Sequence, residues 1–289
     1  MSDVPEIRGF FDDQTNTITY LIWDPQSRQA VVIDPVLDYD PVDGTVDTQS
    51  AERVLEAVAA NRLTVTHVLE THAHADHLSA APLFKAKTGA RIGIGARIRD
   101  VQKVFRPMFS ADDLKVDGSD FDLLLNDGDR IPLGELEIEV IATPGHTAAD
   151  VSYRIGDAVF VGDTLFMPDY GTARTDFPGG DARQLYRSIQ KLLSLPPETR
   201  LYMCHDYKAP GRDEYRWETT VADQRRNVHL TACVTEDEFV TMREERDTTL
   251  STPKLLLPSI QVNIRAGRMP PAEENGVSYL RIPVRVKTA

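Results

Sequence analysis

Apolar residues recur along the first two hundred positions in two interleaved rhythms. Ile18-Thr19-Tyr20-Leu21-Ile22 and Ala30-Val31-Val32-Ile33 are strand-like, and the turn-rich Asp24-Pro25-Gln26-Ser27 between them predicts a strand pair. Residues 51–60, AERVLEAVAA, carry helical spacing, and residues 63–69 return to a strand-like run. Residues 82–87 read as helix, with Gly89 placed to close it in a left-handed cap. Residues 135–140 alternate strictly between an apolar and an acidic face, the pattern of a half-buried strand. Residues 151–155 and 158–161 flank Gly156-Asp157 and predict a hairpin. Asp181 with Gln184, and Thr235 with Glu238, have capping-box spacing. They open helices whose apolar stripes are Leu185, Ile189 and Leu192 in one and Phe239 and Met242 in the other.

Beyond residue 253 the pattern changes. Lys254-Leu255-Leu256-Leu257-Pro258 and the residues after it read as extended or loop-like. Residues 280–286 alternate apolar and basic, and Pro283 restricts them to an edge strand on which a second copy could pair as a homodimer. The expectation is one α/β layered catalytic domain over residues 1–250, with residues 251–289 as an extended segment packed on it.

Composition narrows the function. The chain has 289 residues and a formal net charge of −13. So acidic a surface is a poor partner for nucleic acid or an anionic membrane, whose phosphates need Lys and Arg. No apolar run approaches the ~18 residues of a membrane span. The start, MSDVPEIRGFF, lacks the basic-then-apolar order of a secretory leader. Cys204 and Cys233 alone make no disulfide framework. These features together predict a cytoplasmic protein.

Four short stretches carry chemistry. In THAHADH, His72 and His74 lie two apart on an extended segment and face one point; Asp76 and His77 come where a helix is expected to begin. Imidazole and carboxylate donors suit Zn(II) and Fe(II). Thr143-Pro144-Gly145-His146-Thr147 comes after the alternating strand, and its Pro-Gly turn presents His146 at the strand's end. A buried strand leads into Gly162-Asp163, and another into Cys204-His205-Asp206-Tyr207. Singly, the turn at His146 is a weak signal, Gly162-Asp163 reads better as a turn or a helix cap, and His205-Asp206 reads better as a surface pair. Jointly they deliver donors to one edge of a sheet. Arg174, a permanent cation shortly after Asp163, either grips a carboxylate or pairs with Asp176 or Asp169.

THAHADH, TPGHT, GDTLF and CHDY, in this order and at these intervals, resemble the metallo-β-lactamase fold over roughly residues 8 to 210. The resemblance implies an αβ/βα sandwich, two mixed sheets with helices outside, and a metal site at the edge between the sheets. The family's pattern holds up to two metals: His72, His74 and His146 in one site, Asp76, His77 and His205 in the other, Asp163 bridging. The segment Arg174-Thr175-Asp176-Phe177, within the run from Met167 to Asp181, further resembles the persulfide dioxygenase branch in its bacterial form. That branch carries Cys-Gly where this chain has Thr172-Ala173.

This closer resemblance implies one Fe(II) per chain, held by His72, His146 and Asp163, that oxidises glutathione persulfide with O2 to sulfite and glutathione. His74, Asp76, His77 and His205 then orient the ligands. His205, Asp206 and Tyr207 are expected beside the reacting groups, with Tyr207 hydrogen-bonding substrate. Arg174 and Arg225 are expected to receive glutathione carboxylates, and Arg226, Arg265 and Arg268 are weaker candidates. Cys204 reads as a packed thiol. The alternative reading is a glyoxalase II-type hydroxyacylglutathione hydrolase with two metals on the same seven donors.

Overall fold

The computed structural model describes residues 4–233, 235–284 and 286. In chain order the first half runs β1 (Glu6–Asp12), β2 (Thr17–Trp23), β3 (Gln29–Ile33), β4 (Val36–Asp40), β5 (Thr45–Asp47), α1 (Gln49–Ala60), β6 (Thr64–Leu69), β7 (Leu78–Ser79), α2 (Ala81–Thr88), β8 (Arg91–Gly95) and α3 (Ile98–Met108). The second half runs β9 (Leu123–Leu125), β10 (Arg130–Leu133), β11 (Leu136–Ala142), β12 (Val151–Ile155), β13 (Ala158–Phe160), α4 (Ala182–Leu193), β14 (Arg200–Tyr202), β15 (Glu218–Thr220), α5 (Val221–Gln224), α6 (Val228–Thr231), α7 (Glu236–Asp247) and α8 (Leu256–Asn263).

One six-stranded sheet has the order β1-β2-β3-β6-β8-β9, the other β10-β11-β12-β13-β14-β15. Both are mixed. In the first, β1, β2 and β3 pair antiparallel and β3, β6, β8 and β9 parallel. In the second, all pairs are antiparallel except β13 with β14. A small third sheet joins β4 to β5 and β7.

Three apolar layers hold the sandwich together. Ile18, Tyr20, Ile22, Val31 and Ile33 from the first sheet meet Ile138, Val140, Tyr153, Ile155 and Phe160 from the second. Outside the first sheet, Leu21 and Val32 pack with Val54 of α1, Phe84 of α2 and Val101 and Phe105 of α3. Outside the second, Val159 and Leu201 pack with Leu185, Ile189 and Leu192 of α4 and Phe239 of α7. Strand β2 is therefore buried along all of its length, which explains why its sequence shows no polar face.

The expected hairpin forms, with Tyr153 opposite Phe160, and Gly89 caps α2 at φ 77°. Thr235 and Glu238 form a reciprocal capping box at α7. Two expectations fail. Residues 256–263 form helix α8, because Pro258 falls in its first turn, where no intrahelical N–H partner is lost, and Ile260 and Ile264 enter the core beneath α1–α3. Residues 280–284 and 286 form no strand; Arg285 lies outside the described residues. The backbone N–H and carbonyl of Arg281 are taken by the side chain of Gln261 (2.8 and 2.9 Å), and Ile282 and Val284 stand exposed. Pairing of two copies through such an edge thus lacks the element it needed. Among the described residues no helix is long and apolar enough to cross a membrane.

Candidate metal centre

The topology places four chain exits at one edge. Strands β3 and β6 run parallel with Ile33 opposite Leu69, so Asp34 and residues 70–72 leave side by side. Strand β12 is antiparallel to both β11 and β13, and β14 is parallel to β13. The chain therefore leaves β11 towards His146, β13 towards Asp163 and β14 towards His205 in one direction. Thr71 O accepts from Val151 N at 2.9 Å and Cys204 O from Ile18 N at 2.8 Å, locking the exits together. Gly162 adopts φ 54°, and a Cβ there would lie 2.8 Å from Thr71 Cβ, so only glycine permits this approach. After His77 comes β7, not a helix; α2 begins only at Ala81.

The seven donors converge. His72, His146 and Asp163 offer ligand atoms all within 4.8 Å of one another, and so do His74, Asp76, His77 and His205. Asp163 Oδ2 lies 4.0 Å from His72 Nε2 and 3.7 Å from His146 Nε2; Asp163 Oδ1 lies 3.3 Å from His205 Nε2. His205 Nε2 is also 3.2 Å from Asp76 Oδ2. Yet His72 Nε2, His74 Nδ1, Asp76 Oδ2, His77 Nε2, Asp163 Oδ1 and His205 Nε2 are buried without a hydrogen-bond partner. Buried polar atoms are ordinarily satisfied. Six orphaned donors aimed at one another fit a metal centre.

The electrostatics agree. Burial, reinforced by the neighbouring His74 and His146, holds His72 well below the usual histidine range, and burial lowers His77 and His205. At these three positions burial favours the neutral ring that a ligand presents, whereas at His74 burial is outweighed by the Asp34 and Glu70 carboxylates, which raise the ring well above the usual range. Burial lifts the Asp163 carboxyl to about 7 despite the opposing His146, which is the state of a carboxylate awaiting a cation. Burial opposes ionisation of Asp76 too, but the His205 and His77 rings overcome it and hold the group below the usual range.

Each ring's other nitrogen is anchored. His146 Nδ1 sits 2.8 Å from the carbonyl of Arg174, and His72 Nδ1 sits 3.1 Å from Thr71 Oγ1, which donates to Asp34 Oδ2 at 2.8 Å. His74 Nε2 lies 2.9 Å from Asp34 Oδ1. Asp34 is thus the hub behind two of the histidines, a role its place at a strand end did not signal. Asn263 of α8 donates to the carbonyls of His74 and His77, both at 2.8 Å, and its sequence context gave no sign of it.

A cavity of about 200 Å³ opens over the cluster, lined by Asp76, His146, Asp163, Phe166, Tyr170, Arg174, Phe177, Tyr207, Arg243 and Arg246, among others. Tyr207 stacks on His205 with ring centroids 5.5 Å apart. Arg174 reaches the cavity, but its Nε and Nη2 grip Asp176 at 2.6 and 2.7 Å. Asp206 does not line it. That carboxylate is buried in an ion pair with Arg212 (2.6 and 2.7 Å), which ties it to Asp169. Arg225 is exposed elsewhere, on the C-cap of α5, where its Nη2 donates to the carbonyl of Leu193 at 3.5 Å. Arg226, Arg265 and Arg268 pair with Asp223, Asp113 and Asp120. Thr172 lies 3.0 Å from His229 Nδ1 through Oγ1 and gives its carbonyl to Arg243 at 3.0 Å.

The profile of the metallo-β-lactamase superfamily matches residues 13–205. The chain belongs to that superfamily. Among curated relatives it is 55% identical to a probable metallo-hydrolase of Burkholderia pseudomallei, over 96% of this chain and 98% of that one. It is 50% identical to a β-lactamase hydrolase-like protein of Agrobacterium fabrum, over 98% of this chain but only 65% of the relative's length. It is 29% identical to the mitochondrial persulfide dioxygenase ETHE1 of Homo sapiens, over 92% and 90%. Among solved structures, ETHE1 from Myxococcus xanthus superposes with a TM-score of 0.73 at 35% identity, covering 91% of this chain and all of that one.

Proposed function

We propose that this chain is a persulfide dioxygenase with one Fe(II), converting glutathione persulfide, O2 and water to glutathione and sulfite. The sulfane sulfur rises from oxidation state 0 to +4, and the four electrons reduce one O2. The observation that carries the reading is the likeness to the ETHE1 structure along that chain's whole length, with His72, His146 and Asp163 forming the two-histidine, one-carboxylate set. Iron held by those three residues would supply open positions for sulfur and dioxygen.

The remaining roles belong to the protein. The Arg174 carbonyl fixes the His146 ring, and Asp34 fixes His74 directly and His72 through Thr71. Phe166, Tyr170 and Phe177 wall the cavity and suit a polarisable sulfur chain. Tyr207, stacked on His205, lines that space. In this proposal residues 251–289 belong with the catalytic domain of residues 1–250, and the enzyme works in the cytoplasm.

The second reading, a two-metal hydrolase of glutathione thioesters, is favoured by the completeness of the donor set and by the likeness to the metallo-hydrolase. The test uses anaerobically purified, iron-loaded protein. Oxygen uptake with glutathione persulfide, stoichiometric sulfite and one iron per chain support the dioxygenase. Thioester cleavage with two metals per chain and no oxygen uptake overturns it.

A further inference from the structure

Three guanidinium groups line the cavity over the metal cluster, and they are not equivalent. Arg174 gives Nε and Nη2 to Asp176 and Nη1 to the carbonyl of Ser251 at 2.7 Å. Arg243, 1% exposed, gives Nε and Nη2 to Asp247 at 3.0 and 2.7 Å and Nη1 to the carbonyl of Thr172. Arg246 lies three residues further along α7, on the same cavity, and is exposed. Among the described residues no hydrogen bond or ion pair engages its side chain.

The rest of the cavity makes that free cation informative. Its inner end holds two carboxylates, Asp76 and Asp163, and its walls are Phe166, Tyr170, Phe177 and Leu250. On a chain of net charge −13, an anionic ligand is repelled by the general field and needs a local cation to be received. An uncommitted arginine offers a planar fork of donors suited to a carboxylate. We infer that Arg246 receives a carboxylate of the thiol that carries the substrate sulfur, and thereby sets which carrier the enzyme accepts. The inference rests on the reading of the site as one acting on glutathione-bound sulfur. The sulfur end faces the metal and the aromatic walls, and the anionic end reaches the mouth. A merely structural role for Arg246 would be to complement the carbonyls at the C-terminal end of α7, which affects stability and not binding.

The test uses the iron-loaded full chain as wild type, Arg246→Ala and Arg246→Lys. Arg226→Ala, a paired arginine outside the cavity, is the control. Calorimetric titration with S-methylglutathione, which cannot react, reads binding alone. Loss of a charge-assisted contact should weaken binding in Arg246→Ala by about tenfold or more, equivalent to about 1.4 kcal/mol. Arg246→Lys should fall between, and Arg226→Ala should match the wild type. In oxygen uptake, Arg246→Ala should raise KM for glutathione persulfide while kcat and the KM for mercaptoethanol persulfide, which has no carboxylate, stay unchanged. Wild-type affinity in Arg246→Ala, with or without a lowered melting temperature, overturns the inference, as does failure of the wild type to bind S-methylglutathione. Arg246-dependent binding in a protein that cleaves thioesters and takes up no oxygen upholds it and sinks the dioxygenase reading.

Discussion

Replacing Asp247 with alanine should loosen the metal centre from behind its wall. Asp247 Oδ1 accepts from Nε and Nη2 of Arg243, and its Oδ2 accepts from Thr175 N at 2.8 Å and Thr175 Oγ1 at 3.1 Å. Arg243 in turn holds the carbonyl of Thr172. Helix α7 therefore grips residues 172 and 175 on either side of Arg174, whose carbonyl fixes His146. With side chains 1% and 4% exposed, the pair is buried, and the substitution leaves the guanidinium buried without its carboxylate. Removing one partner of such a pair costs about 3–5 kcal/mol. Unfolding entropy of about 2.1 cal/mol/K per residue gives about 0.6 kcal/mol/K for a chain of this size, so the melting temperature should fall by about 5–8 °C. Loss of the support behind His146 should also weaken iron binding by about 10- to 100-fold. Thermal melts of the metal-free protein read the first effect, and chelator competition reads the second. A variant that melts with the wild type and holds iron equally well would refute the account of the wall.

Four further outcomes are expected. His146→Ala should lose both its iron, by metal analysis, and oxygen uptake; retention of both would remove it from the ligand set. Asp34→Asn should weaken iron by about 10- to 100-fold in chelator competition, because His74 and Thr71 lose their charged acceptor. Gly145→Ala should destabilise the fold by about 3 kcal/mol or more, since the residue sits at φ 150° and its Cβ would lie 2.3 Å from Leu185 Cα; urea unfolding decides it. Burial, with Arg243 and Arg246 adding to it, lowers His229 to about 4 from 6.5. As pH falls through that window the unfolded chain gains a proton that the folded chain refuses, so stability is lost, while above it the residue contributes nothing. In metal-free protein, His229→Asn should abolish about 2 kcal/mol of that loss, discounted for partial solvation, and an unchanged difference in urea stability between pH 7 and 4.5 would count against it.

The donors were legible because each closes a short motif at a strand's end, and parallel strand ends collect at one edge whatever the loops do. What supports them was not. Asp34 reads as an ordinary turn residue after β3; only the pairing of β3 with β6 brings it behind His74. Arg243 and Asp247 have the spacing of a surface helix pair, and their burial depends on which face α7 turns inward. Residues 254–258 and those after them read as extended or loop-like, yet Pro258 sits in the first turn of α8, where a proline is tolerated. Arg225 is expected from the resemblance to receive a glutathione carboxylate, but it caps a four-residue helix that turns it to solvent. Asp206 comes directly after a donor, and the alternation of an extended chain sends it the other way, to Arg212.

The number of metals is open on the donors alone, but their outer contacts do not treat the two sets alike. His72, His74 and His146 have separate partners at 3.1, 2.9 and 2.8 Å, fixed by Asp34 or by backbone. His77 and His205 both direct Nδ1 at one hydroxyl, Thr17 Oγ1, at 3.4 and 3.3 Å, with Asp76 Oδ1 3.5 Å from His77 Nδ1 and the Asn16 carbonyl beside the His205 ring as further partners. That oxygen has two lone pairs and one proton, and it also meets Thr15 Oγ1 at 2.8 Å. Accepting from both rings uses all its capacity at distances beyond the usual range for N–H···O. Outer partners fix ring orientation and raise ligand basicity, so the set at His72 and His146 is the better prepared to bind a metal. Asp163 stands between the two sets, 3.7 Å from His146 and 3.3 Å from His205, and burial raises its carboxyl to about 7, so a cation on either side favours its ionised form. In the proposed reading this asymmetry favours a single iron beside His72 and His146, and a metal count of two per loaded chain would overturn that preference.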